Sequence, residues 1–231
     1  MMSDIMNEKT RLRHEVLKRR DALTPSEREA KSAQICTRLH EHLDAFLARI
    51  TPDTHTAQAN GILQDKKVAV YASMKSEVSL DSFILEAYSQ GAALYFPCMT
   101  KTEKSEGSTP TITARSMVFR EIPQDCYLAH RKGNTCAAPF MDNPVKSFAP
   151  DDSSLAKFAP LDPHEVDVVV VPMVAFDSGF SRLGYGGGNY DNFLAELPGD
   201  TCVVGVAFSE QKVEEIPLEA HDLPLPHIVH T

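Results

Sequence analysis

No stretch of this sequence stays apolar for the ~20 residues that a membrane-spanning helix needs. Residues 1–20 are charged throughout and lack the apolar centre of a secretory signal, so the expected location is the cytoplasm. Cysteine is scarce and scattered, at Cys36, Cys98, Cys126, Cys136 and Cys202. An odd count without a C-x-x-C pair argues against a disulfide framework or a zinc site, and for a reducing compartment. Basic charge is in deficit, with 23 Lys and Arg against 32 Asp and Glu, net -9. That sign argues against general binding to nucleic acid or anionic lipid, though not against a local basic pocket. Internal repeats and low-complexity tracts are missing. So are a P-loop, an in-frame dinucleotide fingerprint and an acid/base or nucleophile triad. What remains, 42% hydrophobic and 24% charged, is the composition of an ordinary soluble protein with a real core.

Glycine is concentrated instead of spread. Four of the 11 glycines fall within Arg182-Leu183-Gly184-Tyr185-Gly186-Gly187-Gly188-Asn189-Tyr190-Asp191. Upstream runs the β-branched segment 166–171, which reads as a strand covered on both faces. Downstream, Tyr190, Phe193, Leu194 and Leu197 recur at helical spacing. A glycine loop opening a helix brings unpaired backbone N–H groups close to a ligand and suits a phosphate. It is equally the sequence of a tight turn. Arg182 adds a cation shaped for bidentate phosphate contact. Asp191 could hold Mg²⁺ with phosphate oxygens, or simply stabilise the helix start.

Elsewhere the pattern predicts a helix over 4–20. On its wheel Ile5, Leu12, Val16 and Leu23 share a face, and Lys9, Arg13 and Arg20 border it. Cations there need anionic partners or must snorkel. Thr24-Pro25-Ser26-Glu27 opens a second helix running to about residue 49. Residues 51–65 read as an exposed loop. A strand at 67–72, a helix at 79–90 ended by Gly91 and a strand at 92–96 form a β-α-β unit. Residues 101–110 read as a loop and 111–119 as a weak strand. Residues 121–163 are hard to place, with 143–163 read as an insertion. A strand at 201–208 precedes a proline-containing tail, 209–231, expected to wrap the surface.

The glycine stretch closely resembles the signature of 5-formyltetrahydrofolate cyclo-ligases, also called methenyltetrahydrofolate synthetases. Lys9-Thr10-Arg11-Leu12-Arg13 resembles the family's N-terminal motif. Tyr71-Ala72-Ser73-Met74 with Glu77, Pro172 with Phe176-Asp177 and Gly179, Val206 to Gln211, and His221-Asp222 follow in the family's order. The likeness spans the chain except for 51–65 and about 101–163, which are expected to contain exposed insertion loops in one domain, 1–231. It implies a single-domain, layered Rossmann-like α/β fold with a mixed, mostly parallel sheet and helices on both faces. It implies a monomeric ligase that converts 5-formyltetrahydrofolate and ATP to 5,10-methenyltetrahydrofolate, ADP and phosphate through a phosphorylated formyl group. The site it implies binds ATP through Lys9, Arg13, Arg182, Leu183, Gly184, Tyr185, Gly186, Gly187, Gly188, Asn189 and Tyr190. Arg182 is also the catalytic cation, folate meets Ala72, Glu77, Tyr185 and Asn189, and Asp191 and Asp222 hold Mg²⁺. Two letters depart from the pattern: Asn189 stands where many members have Tyr, and Gly187 where some have Lys. A phosphosugar isomerase or acyl-CoA transferase relative would need a further catalytic base. A non-catalytic folate- or nucleotide-binding protein on the same fold would bind without turnover.

Overall fold

The computed structural model describes residues 2–50, 61–104, 112–134, 138–219 and 222–231. Helices α1 (Met2–Asp21) and α2 (Pro25–Ile50) open the chain. They meet at a reciprocal cap: the Glu27 N–H donates to Thr24 Oγ1 at 3.2 Å, and the Thr24 N–H to Glu27 Oε2 at 2.8 Å. Then follow β1 (Lys67–Ala69), α3 (Asp81–Ser89), β2 (Ala93–Lys104), β3 (Ile112–Glu121), α4 (Gln124–Arg131), α5 (Pro139–Asp142) and β4 (Ser147–Phe148). The last part holds β5 (Val168–Pro172), β6 (Ala175–Phe176), β7 (Arg182–Leu183), α6 (Asn189–Leu194), β8 (Cys202–Ala207) and β9 (Ile228–His230).

The main sheet has the order β3-β2-β1-β5-β8-β9, with β4 on β2. All its pairings are parallel except the antiparallel pair β2–β3, so the mixed, mostly parallel α/β sheet predicted above is present. Val68, Val70, Leu94 and Phe96 alternate onto one face, where they pack with Leu39 and Leu43 of α2 and Phe83 of α3. Ala69, Tyr95, Val169 and Val171 occupy the other face with Phe119 and Phe193. A smaller cluster joins Leu12 and Val16 of α1 to Val174, Ala175 and Leu183 of the β6–β7 hairpin. No helix among the described residues is long and apolar enough to cross a membrane.

Several expectations need correction. Strand β2 runs on to Lys104 and pairs with β3 along ten residues, so 101–104 is strand. The stretch 121–163 carries α4, α5 and β4, and buries Tyr127, Phe140, Phe148 and Phe158. Within 143–163, expected to be an insertion loop, Phe148, Leu155, Phe158 and Leu161 are buried while most of the other residues are exposed. Residues 51–60 lie outside the described residues, while Leu63 in the turn just after them is fully buried. The tail does more than wrap the surface. Its β9 joins the sheet beside β8, and Gln211, Ile216 and Leu225 are buried. The thiols Cys36, Cys98 and Cys202 are free and buried. Cys126 is disulfide-bonded, which the expected reducing environment did not anticipate.

Gly205 of β8 tests how tightly β9 and the tail close over this edge. A Cβ there would collide with Met173 Cε and come within 2.6 Å of Leu225 Cδ1. Both side chains are buried, so they have little room to retreat. Gly205→Ala should cost about 1–3 kcal/mol through overpacking, read as a lower denaturant midpoint.

Candidate active site

Helix α1 lies across the glycine loop because its apolar face binds the β6–β7 hairpin that leads into that loop. This places the bordering cations where the wheel put them. Arg13 Nε donates to the Gly184 carbonyl at 2.8 Å. Its guanidinium lies against Gly186, where a Cβ would stand 3.4 Å from Nη2. Gly186 and Gly188 hold positive φ, +93° and +64°, which side chains with a Cβ rarely adopt. The loop therefore needs glycine at both positions for its backbone shape, while a Cβ at Gly186 would make only ordinary contact with Arg13.

Lys9 is nearly buried and has found protein partners: Nζ donates to Asp222 Oδ2 at 2.5 Å and to Glu219 Oε2 at 2.8 Å. Burial opposes its charge, but the bonds to Asp222 and Glu219 outweigh that and raise its pKa. In the free protein the plain ion-pair reading of Lys9 holds. Asp222 also accepts the Glu219 N–H at 2.8 Å. Its sequence neighbour His221 lies outside the described residues.

Arg182 sits on β7, nearly buried, with Nη1 donating to the Leu223 carbonyl at 2.6 Å and Nη2 paired to Asp191. Burial draws its pKa down, while Asp191 and then Asp222 push it back up. One guanidinium thus lies in the field of both candidate metal ligands. Among the described residues no group of three or more His, Cys, Asp or Glu could cage a metal. Two carboxylates beside a phosphate cradle are what a nucleotide-borne Mg²⁺ uses, since it keeps waters and phosphate oxygens as its other ligands.

The helix after the loop is short. Six residues carry little dipole, so the helix end adds little positive potential at this loop. Leu183 is buried in the α1 contact, and Asn189 is half-buried beside Gly187. Ala72 lies past the end of β1, packed against the core.

Glu77 is buried and hydrogen-bonded at both oxygens, accepting the Met74 N–H at 2.9 Å and the Tyr185 hydroxyl at 2.9 Å. Burial raises its pKa, against the opposing effect of those two bonds and the Arg20 charge. Tyr185 is thus the hinge between the two halves of the site. It belongs to the glycine loop, bonds the folate candidate Glu77, and accepts Arg20 Nη2 at 2.9 Å. Arg20, itself buried, also bonds Ser76 at 3.0 Å. The residue-by-residue expectation missed Arg20 and Ser76. The signal was present for Arg20, which bordered the same apolar face as Lys9 and Arg13. Finally, the Tyr190 hydroxyl and Arg20 Nη1 are buried with no hydrogen-bond partner among the described residues. Tyr190 feels the charges of Glu77 and Arg182. Unsatisfied donors at such a place suit a polar ligand.

The profile of the 5-formyltetrahydrofolate cyclo-ligase family matches residues 5–231. The chain is 27% identical to the 5-formyltetrahydrofolate cyclo-ligase of Escherichia coli (strain K12) over 215 residues, 93% of this chain and 95% of that one. It is 29% identical to the Saccharomyces cerevisiae (strain ATCC 204508 / S288c) protein of that name over 176 residues, 71% of this chain and 75% of that one. The solved 5,10-methenyltetrahydrofolate synthetase of Mycoplasma pneumoniae shares the fold, with TM-score 0.59 at 21% identity, covering 96% of this chain and 97% of that one. That of Aquifex aeolicus superposes with TM-score 0.56 at 25% identity, covering 96% and 89%. With its profile matched almost end to end and its motifs gathered at one place, the chain belongs to the 5-formyltetrahydrofolate cyclo-ligase family.

Proposed function

We propose that this protein converts 5-formyltetrahydrofolate and ATP to 5,10-methenyltetrahydrofolate, ADP and phosphate, using the site described above. The observation that carries the reading is Tyr185, which ties the glycine loop to Glu77 and so sets a phosphate cradle beside a buried acceptor. The γ-phosphoryl group passes to the formyl oxygen. N10 of the same folate then attacks the activated carbon, and phosphate leaves as the ring closes. Such chemistry needs alignment and charge neutralisation, not a nucleophilic side chain.

Each residue has a matching task. Lys9, Arg13 and Arg182 offset the triphosphate charge, and the amides of 184–188 donate to its oxygens. Lys9 and Arg182 exchange their present carboxylate partners for phosphate. This leaves Asp191 and Asp222 to hold Mg²⁺, which when bound would draw charge from the phosphate oxygens. Glu77 accepts N–H groups of the pterin, whose edge is rich in them. Tyr185 and Asn189 border that head, and the Tyr190 hydroxyl offers an unspent donor.

Purified protein given ATP, Mg²⁺ and the (6S) substrate should show the near-ultraviolet absorbance rise of the methenyl product. Folate uptake without ATP-dependent turnover would overturn the catalytic reading and favour a binding protein. Asp191→Asn should raise the Mg²⁺ concentration needed for half-maximal rate several-fold. An unchanged requirement would remove Asp191 from the metal site.

A further inference from the structure

Of the buried cations Lys9, Arg20 and Arg182, the reaction described above leaves Arg20 without a task. Arg20 is 1% exposed, and it joins none of the ion pairs among the described residues. A buried guanidinium is costly unless its charge is answered. Here the answer comes through two neutral hydroxyls. Arg20 Nε donates to Ser76 Oγ at 3.0 Å, and that hydroxyl donates in turn to Asp21. Arg20 Nη2 donates to the Tyr185 hydroxyl at 2.9 Å, which donates in turn to Glu77 Oε1 at 2.9 Å. Each hydroxyl stands between a cation and a carboxylate and is polarised by both. Arg20 Nη1 is buried and has no partner among the described residues. An apolar side chain of similar length would fill this place at less cost to the fold.

Glu77 shows what the arrangement does. It is faced by Arg20 from α1, Tyr185 from the glycine loop, Tyr71 from just past β1 and Tyr190 from α6. Burial raises the pKa of all three phenols, so they stay neutral. Of these neighbours Arg20 alone is charged, and its charge opposes the pull of burial towards the neutral acid. A neutral carboxyl has less capacity to accept N–H groups and carries a proton of its own. The same bonds fix direction. The Tyr185 ring is exposed, but its hydroxyl lies between Arg20 and Glu77, so swinging the ring out breaks both bonds.

We propose that Arg20 is a positioning residue for the folate: through the Tyr185 hydroxyl it holds Glu77 as a fixed, charged acceptor for the pterin N–H groups, and Ser76 keeps its guanidinium in place. This rests on the folate reading of Glu77. The test follows KM for 5-formyltetrahydrofolate, KM for ATP and kcat across pH in the wild type and four variants. Arg20→Met should raise the folate KM about ten-fold at neutral pH, as loss of a hydrogen-bonded charge does. The loss should shrink as pH rises, because alkali ionises Glu77 without help from Arg20. KM for ATP and kcat should stay near those of the wild type. Arg20→Lys keeps the charge without the planar fork and should recover part of the loss. Tyr185→Phe removes the relay at an exposed ring and should move the acid limb of the folate profile the same way. Adding it to Arg20→Met should cost little more, since both break one chain. An unchanged folate KM and pH profile in Arg20→Met, or additive losses in the double variant, would overturn the proposal. So would equal losses for ATP and folate with a lower melting temperature, the mark of a structural role. Should Arg20→Met fail to fold, an unshifted pH profile in Tyr185→Phe overturns the proposal by itself. A wild type that neither binds nor turns over the folate overturns the folate reading, and the role of Arg20 with it.

Discussion

Arg182→Ala should lower kcat/KM for ATP by about 100- to 1,000-fold, the usual loss when a preorganised group facing transition-state charge is removed. The expectation follows from its setting. The guanidinium is nearly buried, fixed by the Leu223 carbonyl and paired with Asp191, and it faces the glycine loop from the strand before it. A cation held this way stays anchored at the Leu223 carbonyl and has only to trade Asp191 for the charge that develops on a phosphoryl group. Arg182→Lys keeps the charge but loses the planar fork, so it should recover only part of the rate. Removing the side chain also strands the Asp191 carboxylate, so a folding defect must be separated from a chemical one. Circular dichroism and the melting temperature of each variant do this. A well-folded Arg182→Ala enzyme with unchanged ATP kinetics would mean that the triphosphate lies elsewhere.

Glu77→Gln should cut kcat/KM for the folate by a similar factor while making the free protein more stable. The two effects share one cause. Burial raises the pKa of Glu77 above its ordinary 4.5, so the folded protein favours the neutral acid. A carboxyl with a raised folded pKa binds more protons in the native than in the unfolded state. Its charge therefore weakens the fold at neutral pH, and that cost is relieved as pH falls through the raised value towards 4.5. The glutamine variant should melt a few degrees higher at pH 7 and lose the acid-side gain that the wild type shows. Folate affinity should move the opposite way, because a protonated Glu77 no longer accepts pterin N–H bonds with full charge. Thermal scans across pH, paired with folate titrations, check both signs. A variant that is less stable than the wild type at pH 7 would show that the Met74 and Tyr185 bonds outweigh burial.

What the sequence revealed depended on the range of each interaction. The wheel of α1 put Lys9, Arg13 and Arg20 on one border because helical spacing is local, and all three face the site. The glycine loop was legible as a loop, since its residues decide its backbone. The Tyr185–Glu77 bond was not legible, because 108 residues separate its ends. For the same reason Arg20 had a visible position but no visible partner. The helices and strand within 121–163 were lost because they are short and their residues take their order from the core beneath. Tyr127, for instance, is secured by stacking on Phe96 of β2. Strand β9 is three residues long and exists only because β8 offers it an edge. The opposition of Lys101 and Arg115 across β2–β3 was hidden by reading 101–110 as a loop, since it appears only once the register is known.

The contact between Lys9 and Asp222 spans 213 residues. During synthesis, at roughly 5–20 residues per second, Lys9 emerges some ten to forty seconds before its partner exists. A growing chain therefore displays the first helix, then the glycine loop, with no tail to complete the enclosure. The Leu223 carbonyl that fixes Arg182 arrives equally late. Nucleotide capture should thus be among the last abilities the protein acquires as it is made. Ribosome-bound chains stalled before residue 219 should leave ATP alone, so the cell meets this enzyme either inert or finished.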